Sequence, residues 1–202
     1  MTAATFTQPH SLPELYFDPY FEQEAVKILP GSFYVTGRDM ILVSVLGTSV
    51  CACIRDAYAG VGGLCHFMLP EPKSDKGWEA IAYQYGKQAM DSLMTQLFKS
   101  GARKNRLEAK IFGACDALSS PSGHPMGFYN SRFVERYLNQ ETISIISKDL
   151  MDAYPRKIYF FPCTGKVLVK KLKKLNNTTL LDREASHYQH LSEINISDVM
   201  ER

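Results

Sequence analysis

What the chain lacks narrows its class first. No stretch approaches the roughly 18 to 20 uninterrupted apolar residues of a membrane-spanning helix. The longest candidate, MILVSVLGTSVCACI from Met40, is broken by Gly47, Thr48 and Ser49 and reads as buried strand. The opening MTAATFTQPHSLPELYFDPYFEQ has no basic start followed by an apolar run, so no secretory signal is expected there. An excess of one charge is missing too: 23 basic and 21 acidic residues leave a net +2, too little by itself to argue for a nucleic-acid or anionic-membrane partner. Cysteines 51, 53, 65, 115 and 163 form an odd set without the spacing of a disulfide scaffold, which suits free thiols in a reducing cytoplasm. Internal repeats and low-complexity tracts are absent.

What is present is a 202-residue chain, 45% hydrophobic and 22% charged, with the composition of a soluble globular protein large enough to fold without staples. Residues 1–30 are rich in Pro, aromatics and acids and show no clean period, so an arm lying on the domain is expected. Residues 31–175 carry the folded unit. Residues 176–202 read as a polar, partly helical extension that packs weakly.

Within the unit, SFYVTGRDMILVSVLG predicts two short strands around the turn at 36–39, and CACIRDAYAGVGGLCHFML predicts a strand, a glycine-rich loop and a second strand. The period then changes. In AIAYQYGKQAMDSLMTQLFKSG, Ala82, Ala89, Met90, Leu93, Met94 and Leu97 recur at three- and four-residue steps up to Gly101, as in an amphipathic helix that Trp78 and Glu79 open. RLEAKIFGACDAL predicts a strand, NSRFVERYLNQET a helix with Phe133, Val134, Tyr137 and Leu138 on one face, and the remainder up to Leu172 three further strands. The fold class is α/β, a layered sandwich of mixed sheet with two main helices.

The chemistry centres on LGTSVCACIRD, residues 46–56. Ser49, Cys51 and Cys53 have the same parity, so in an extended strand they share one face. His66 follows the glycine-rich loop, where a hairpin return would bring it beside that face. A thiolate next to an imidazole is a nucleophile. The competing reading is a small buried hydrophobe and a hydrogen-bonded core histidine. A metal set of Cys51, Cys53, Cys65 and His66 is disfavoured, because consecutive residues on a flat strand diverge to opposite faces; no metal and no cofactor is expected. The basic run GKVLVKKLKKL reads as a strand leaving the core into solvent, and His124 as an exposed loop residue.

VLGTSVCACIRDAYAGVGGLCHFMLP resembles the core pattern of the CheD family of chemoreceptor glutamine deamidases: a strand ending in Leu-Gly-Ser-Cys-Val, then an Asp, a Gly-Gly pair and His-x-Met-Leu-Pro. ARKNRLEAKIFGACDAL and YPRKIYFFPCTGKVLVKKL are similar to that family's two remaining signatures, in the same order. The resemblance implies an α/β sandwich similar to the catalytic domain of deamidating toxins, and conversion of particular glutamines on the cytoplasmic helical bundle of chemoreceptors to glutamate. It further implies a CheC-type phosphatase as a partner and neither nucleic acid nor membrane insertion.

Carried onto this chain, the resemblance places the general acid–base at His66 and the nucleophile position at Ser49, where the family has cysteine. Its upstream threonine has Ser44 as the nearest hydroxyl. Gly47 and Thr48, with Gly62 and Gly63, fall where substrate backbone would approach. Four alternatives follow for residue 49. Cys51 takes over as nucleophile from two residues along, Ser49 acts as a slower hydroxyl nucleophile, the site is an inactive binder of receptor or phosphatase, or the serine is an engineered replacement. The Thr48-Ser49 pair beside an extra Cys51 fits divergence better than a single engineered change. Cys51 would stand about 6 to 7 Å from Ser49 along a strand, and a displacement of about 1 Å can cost on the order of a hundredfold in rate.

Overall fold

The structure is a computed structural model that describes residues 4–5, 14–69, 78–115, 123–173, 184–187 and 189. In chain order its strands are β1 (Ala4–Thr5), β2 (Glu14–Asp18), β3 (Gln23–Lys27), β4 (Ser32–Thr36), β5 (Ile41–Leu46), β6 (Val50–Asp56), β7 (Val61–Phe67), β8 (Leu107–Gly113), β9 (Ser144–Leu150), β10 (Arg156–Phe161) and β11 (Lys166–Lys171). Helix α1 (Trp78–Lys99) lies between β7 and β8, and α2 (Met126–Gln140) between β8 and β9.

Two mixed sheets result. One has the order β1-β4-β7-β6-β8-β9 and is antiparallel except where β9 runs parallel to β8; the other has the order β11-β10-β5-β3-β2, with β3 parallel to β5. Both helices pack on the outer face of the six-stranded sheet, where Phe67, Met90, Leu93, Val134 and Tyr137 share one core. A second core lies between the sheets: Val26, Leu42, Leu46, Ile158 and Phe160 meet Cys51, Cys53, Leu64 and Phe112. Strands β6 and β7 are thus covered on both faces, which is why they read as continuous apolar runs rather than alternating ones. The expected α/β layered sandwich with two main helices is what forms. Among the described residues no helix is long and apolar enough to cross a membrane.

One expectation is corrected. The arm predicted over residues 1–30 is, from Glu14 on, part of the five-stranded sheet: β3 pairs with β5 and its Ala25 and Val26 are fully buried. The strand period is hidden because β2 is an edge strand that leaves Leu15 and Phe17 in solvent while Tyr16 packs inward. Residues 6–13, 116–122, 174–183 and 190–202 lie outside the described residues, and with them most of the predicted extension.

Chain connectivity makes residues 47–49 the bridge between the sheets, because β5 belongs to one and β6 to the other. This bridge is tied down by its carbonyls. Gly47 O accepts from Cys115 N and Ser49 O from Ala114 N, both at 2.7 Å, and Thr48 O accepts from Asn130 Nδ2 at 2.9 Å. Asn130 in turn accepts from Leu69 N at 2.8 Å, so a buried amide side chain of α2 joins the bridge to the end of β7. Gly113 ends β8 at φ +115°, and a Cβ there would lie 2.2 Å from Ser49 O. Arg156, fully buried, donates from Nη1 to Gly113 O at 2.8 Å and from Nη2 to Asp149 Oδ1 at 3.0 Å, fixing this corner from the second sheet. Gly113→Ala therefore meets both a forbidden backbone angle and a clash, and we expect it to lower stability by about 2–4 kcal/mol, read as a shift in the urea midpoint without a change of slope.

Candidate active site

At the bridge three side chains and a backbone carbonyl line up. Ser49 Oγ lies 2.8 Å from His66 Nε2, His66 Nδ1 lies 2.8 Å from Ser44 Oγ, and Ser44 Oγ donates to Ile28 O at 2.8 Å. The members come from four places: Ser49 from the bridge, His66 from β7, Ser44 from β5, and the Ile28 carbonyl from the residue after β3. His66 and Ser44 therefore meet across the gap between the sheets. All of these side chains are buried. Burial holds His66 well below the usual imidazole range, down to about 3; the hydrogen bond to Ile28 O opposes this and His187 adds to it. The ring is neutral at any ordinary pH.

Facing Ser49 are three successive backbone amides, those of Gly47, Thr48 and Ser49. The carbonyls of Gly47 and Thr48, which share peptide units with the Thr48 and Ser49 amides, are held from behind, and the three N–H groups point forward into one spot. That spot holds the carboxylate of Glu184, which lies in a single helical turn at residues 184–187. Its Oε1 accepts from Gly47 N at 3.0 Å, Ser49 N at 3.2 Å and Ser49 Oγ at 2.9 Å, while Oε2 accepts from Thr48 N at 3.0 Å and Thr48 Oγ1 at 3.1 Å. Glu184 is only 5% exposed, so the weak packing expected of the C-terminal extension does not hold for this residue. A Cβ at position 47 would lie 2.4 Å from Oε2, and glycine there is what lets an acyl group come so close.

The remaining predicted site residues fall elsewhere. Cys51 sits directly opposite His66 on β6, fully buried in the core between the sheets. Burial pushes its thiol up well above the ordinary value, with Cys53 adding and a hydrogen bond with Ser44 opposing. It packs behind the imidazole, and Ser49 is the group on Nε2. Gly62 and Gly63, expected at the substrate, lie inside β7: a Cβ on Gly63 would meet Val35, Leu93 and Tyr34 O within 2.8 Å, and one on Gly62 would meet Pro162 and Phe160 within 3.3 Å. Both allow close packing of neighbouring elements, about 10 Å or more along the strand from His66. Cys65 faces the helices, its thiol 3.8 Å from Ala89 O, on the side of β7 away from the imidazole. His124 is half-buried just ahead of α2. Among the described residues no three His, Cys, Asp or Glu side chains gather where they could hold a metal ion.

Sequence reasoning missed Glu184, Asn130 and Arg156. Asn130 left a signal: it stands three, four and seven residues before Phe133, Val134 and Tyr137, a polar residue in an apolar helical stripe. Glu184 left none.

Comparison with known proteins adds the family. A family model described as CheD chemotactic sensory transduction matches residues 68–171. A protein of Methylobacillus flagellatus named "Probable chemoreceptor glutamine deamidase CheD" is 50% identical over 179 residues, 88% of each chain. Proteins of the same name from Janthinobacterium sp. (strain Marseille) and Herminiimonas arsenicoxydans are each 46% identical, the first over 96% of this chain and 97% of its own, the second over 97% of both. With identity of 46–50% over 88% or more of this chain, the chain belongs to the CheD family.

Proposed function

We propose that this chain is a cytoplasmic protein-glutamine deamidase that converts glutamine side chains of chemoreceptors to glutamate, with Ser49 as nucleophile. The observation that carries the reading is a hydroxyl, an imidazole and a second hydroxyl in one hydrogen-bonded row, opening onto three convergent amides. Such a row is what acyl transfer from a carboxamide needs. The likeness to catalytic domains of deamidating toxins and a CheC-type phosphatase as a further partner belong to the same proposal, and rest on the resemblance in sequence pattern.

The steps follow from the geometry. Nε2 takes the proton as Ser49 Oγ attacks the carboxamide carbon, while Ser44, held by Ile28 O, accepts from Nδ1–H and keeps the ring in the tautomer whose Nε2 is free to act as base. The amides of Gly47, Thr48 and Ser49 receive the oxyanion, a contact worth about 10² to 10³ in rate per donor. The proton on Nε2 passes to the leaving nitrogen and ammonia departs. Water then enters, gives its proton to Nε2 and its oxygen to the acyl carbon, and Ser49 is released from a glutamate side chain. Glutamine and water become glutamate and ammonia, and the receptor helix gains one negative charge. A cysteine would start closer to its anion than serine does, so the hydroxyl makes attack the demanding step.

Peptide mass spectrometry of a chemoreceptor cytoplasmic domain incubated with the protein tests this. Conversion of glutamine to glutamate should vanish with Ser49→Ala and His66→Ala and persist with Cys51→Ser. Loss with Cys51→Ser alone would move the nucleophile to Cys51. Conversion appearing only once Ser49→Cys supplies a thiol would make the natural chain a binder of its receptor. Ser44→Ala should lower kcat roughly tenfold to a hundredfold with little change in KM, and Ser44→Thr should restore most of it.

Burial of a neutral His66 also has a stability signature. Its folded pKa is depressed, so the unfolded chain binds the extra proton between about pH 6.5 and the folded value near 3, and stability falls as pH drops through that window. Between pH 7 and pH 5 the loss from this residue should be about 2 kcal/mol. His66→Gln should remove that part of the pH dependence in urea titrations at the two pH values.

A further inference from the structure

Glu184 is the one feature of the site that the deamidation steps do not use, and its position is specific. The carboxylate lies on the three amides and against Ser49 Oγ, where an acyl group bound for reaction would lie. Beside it remains a void of about 20 Å³, lined by Ile28, Pro30, Val45 and His66 as well as Glu184, room for about one water and not for a glutamine side chain. Ser49 itself is 0% exposed with Glu184 in place.

Proton counting adds a second observation. The Ser44 hydroxyl donates to Ile28 O at 2.8 Å, so Ser44 Oγ accepts from Nδ1–H at 2.8 Å and Nε2 of the neutral ring is bare. Ser49 Oγ, with one proton, then faces two acceptors, Nε2 at 2.8 Å and Glu184 Oε1 at 2.9 Å. A carboxylate only accepts, so Glu184 competes with the base for the proton that must reach Nε2 for attack.

We propose that the C-terminal segment inhibits the site in cis, with Glu184 standing where the glutamate product would stand and competing with His66 for the Ser49 proton. The proposal rests on the deamidase reading. A receptor helix offering a carboxamide competes with the segment for the same amides, and its apparent affinity is reduced by the fraction of chains in which Glu184 is seated.

The test uses the full-length chain. Ser49→Cys protein is alkylated with iodoacetamide, with and without Glu184→Ala, and labelling of the residue-49 peptide is followed by mass spectrometry. At least about tenfold faster labelling is expected with Glu184→Ala. Equal labelling rates would overturn the proposal. Faster labelling with no receptor deamidation by any variant would uphold occupancy by Glu184 and sink the deamidase reading instead. In the Glu184→Gln chain, an amide-to-acid mass gain at position 184 that His66→Ala abolishes would support both together.

Discussion

Everything at the site depends on how residues 47–49 are held from behind. A peptide unit cannot aim its N–H without aiming its carbonyl the opposite way, and the carbonyls of Gly47 and Thr48, in the peptide units of the Thr48 and Ser49 amides, are held by Cys115 N and Asn130 Nδ2, while Ala114 N holds Ser49 O at the end of the bridge. Those partners come from the segment after β8 and from α2, elements distant in sequence from the bridge. With the carbonyls satisfied, the amides are left to converge on one point, preorganised before any ligand arrives. The requirement reaches outward to Gly113, which must be glycine for Ser49 O to pass, and to Arg156, which closes the same corner from the opposite sheet.

The same framework explains why two neighbouring candidates have different fates. Ser49 and Cys51 share parity, yet Ser49 belongs to the bridge and Cys51 to the first turns of the ladder in β6. The bridge residue meets Nε2 and the amides. The strand residue meets Ser44 and the apolar side chains between the sheets, where a thiolate is penalised by burial. A serine at position 49 therefore sits where the imidazole and the three amides converge, without the readier ionisation of sulfur.

Much of this was legible in the sequence. Apolar runs bounded by turn residues located β4 to β7, and three- and four-residue steps located α1, because those elements are governed by local period. The distance of 17 residues between Ser49 and His66 is that of one strand, a tight loop and a return, so their meeting follows from a hairpin. Ser44 was harder: whether its hydroxyl reaches the imidazole depends on how one sheet lies over the other. The strands at Glu14–Asp18 and Gln23–Lys27 escaped notice because each is only five residues long, too short to show a period. Yet their continuation supplies Ile28 O, the last acceptor in the row. Glu184 could not have been found, since a docked side chain from a polar tail leaves no periodic trace.

The hydroxyl–imidazole–hydroxyl row crosses the seam between the two sheets, with Ser44 on one side and His66 on the other. A hydrogen bond that spans a seam is also a gauge of the seam's width. Separation of the sheets by a few tenths of an ångström, too little to disturb either ladder, would stretch the Ser44–His66 bond, as it would the Arg156–Gly113 bond across the same seam. Ile158, Phe160 and Leu64, which set the spacing from the apolar layer, are in that sense part of the row's alignment, and a change of volume there would be felt in the Ser44–His66 contact before it was felt as unfolding.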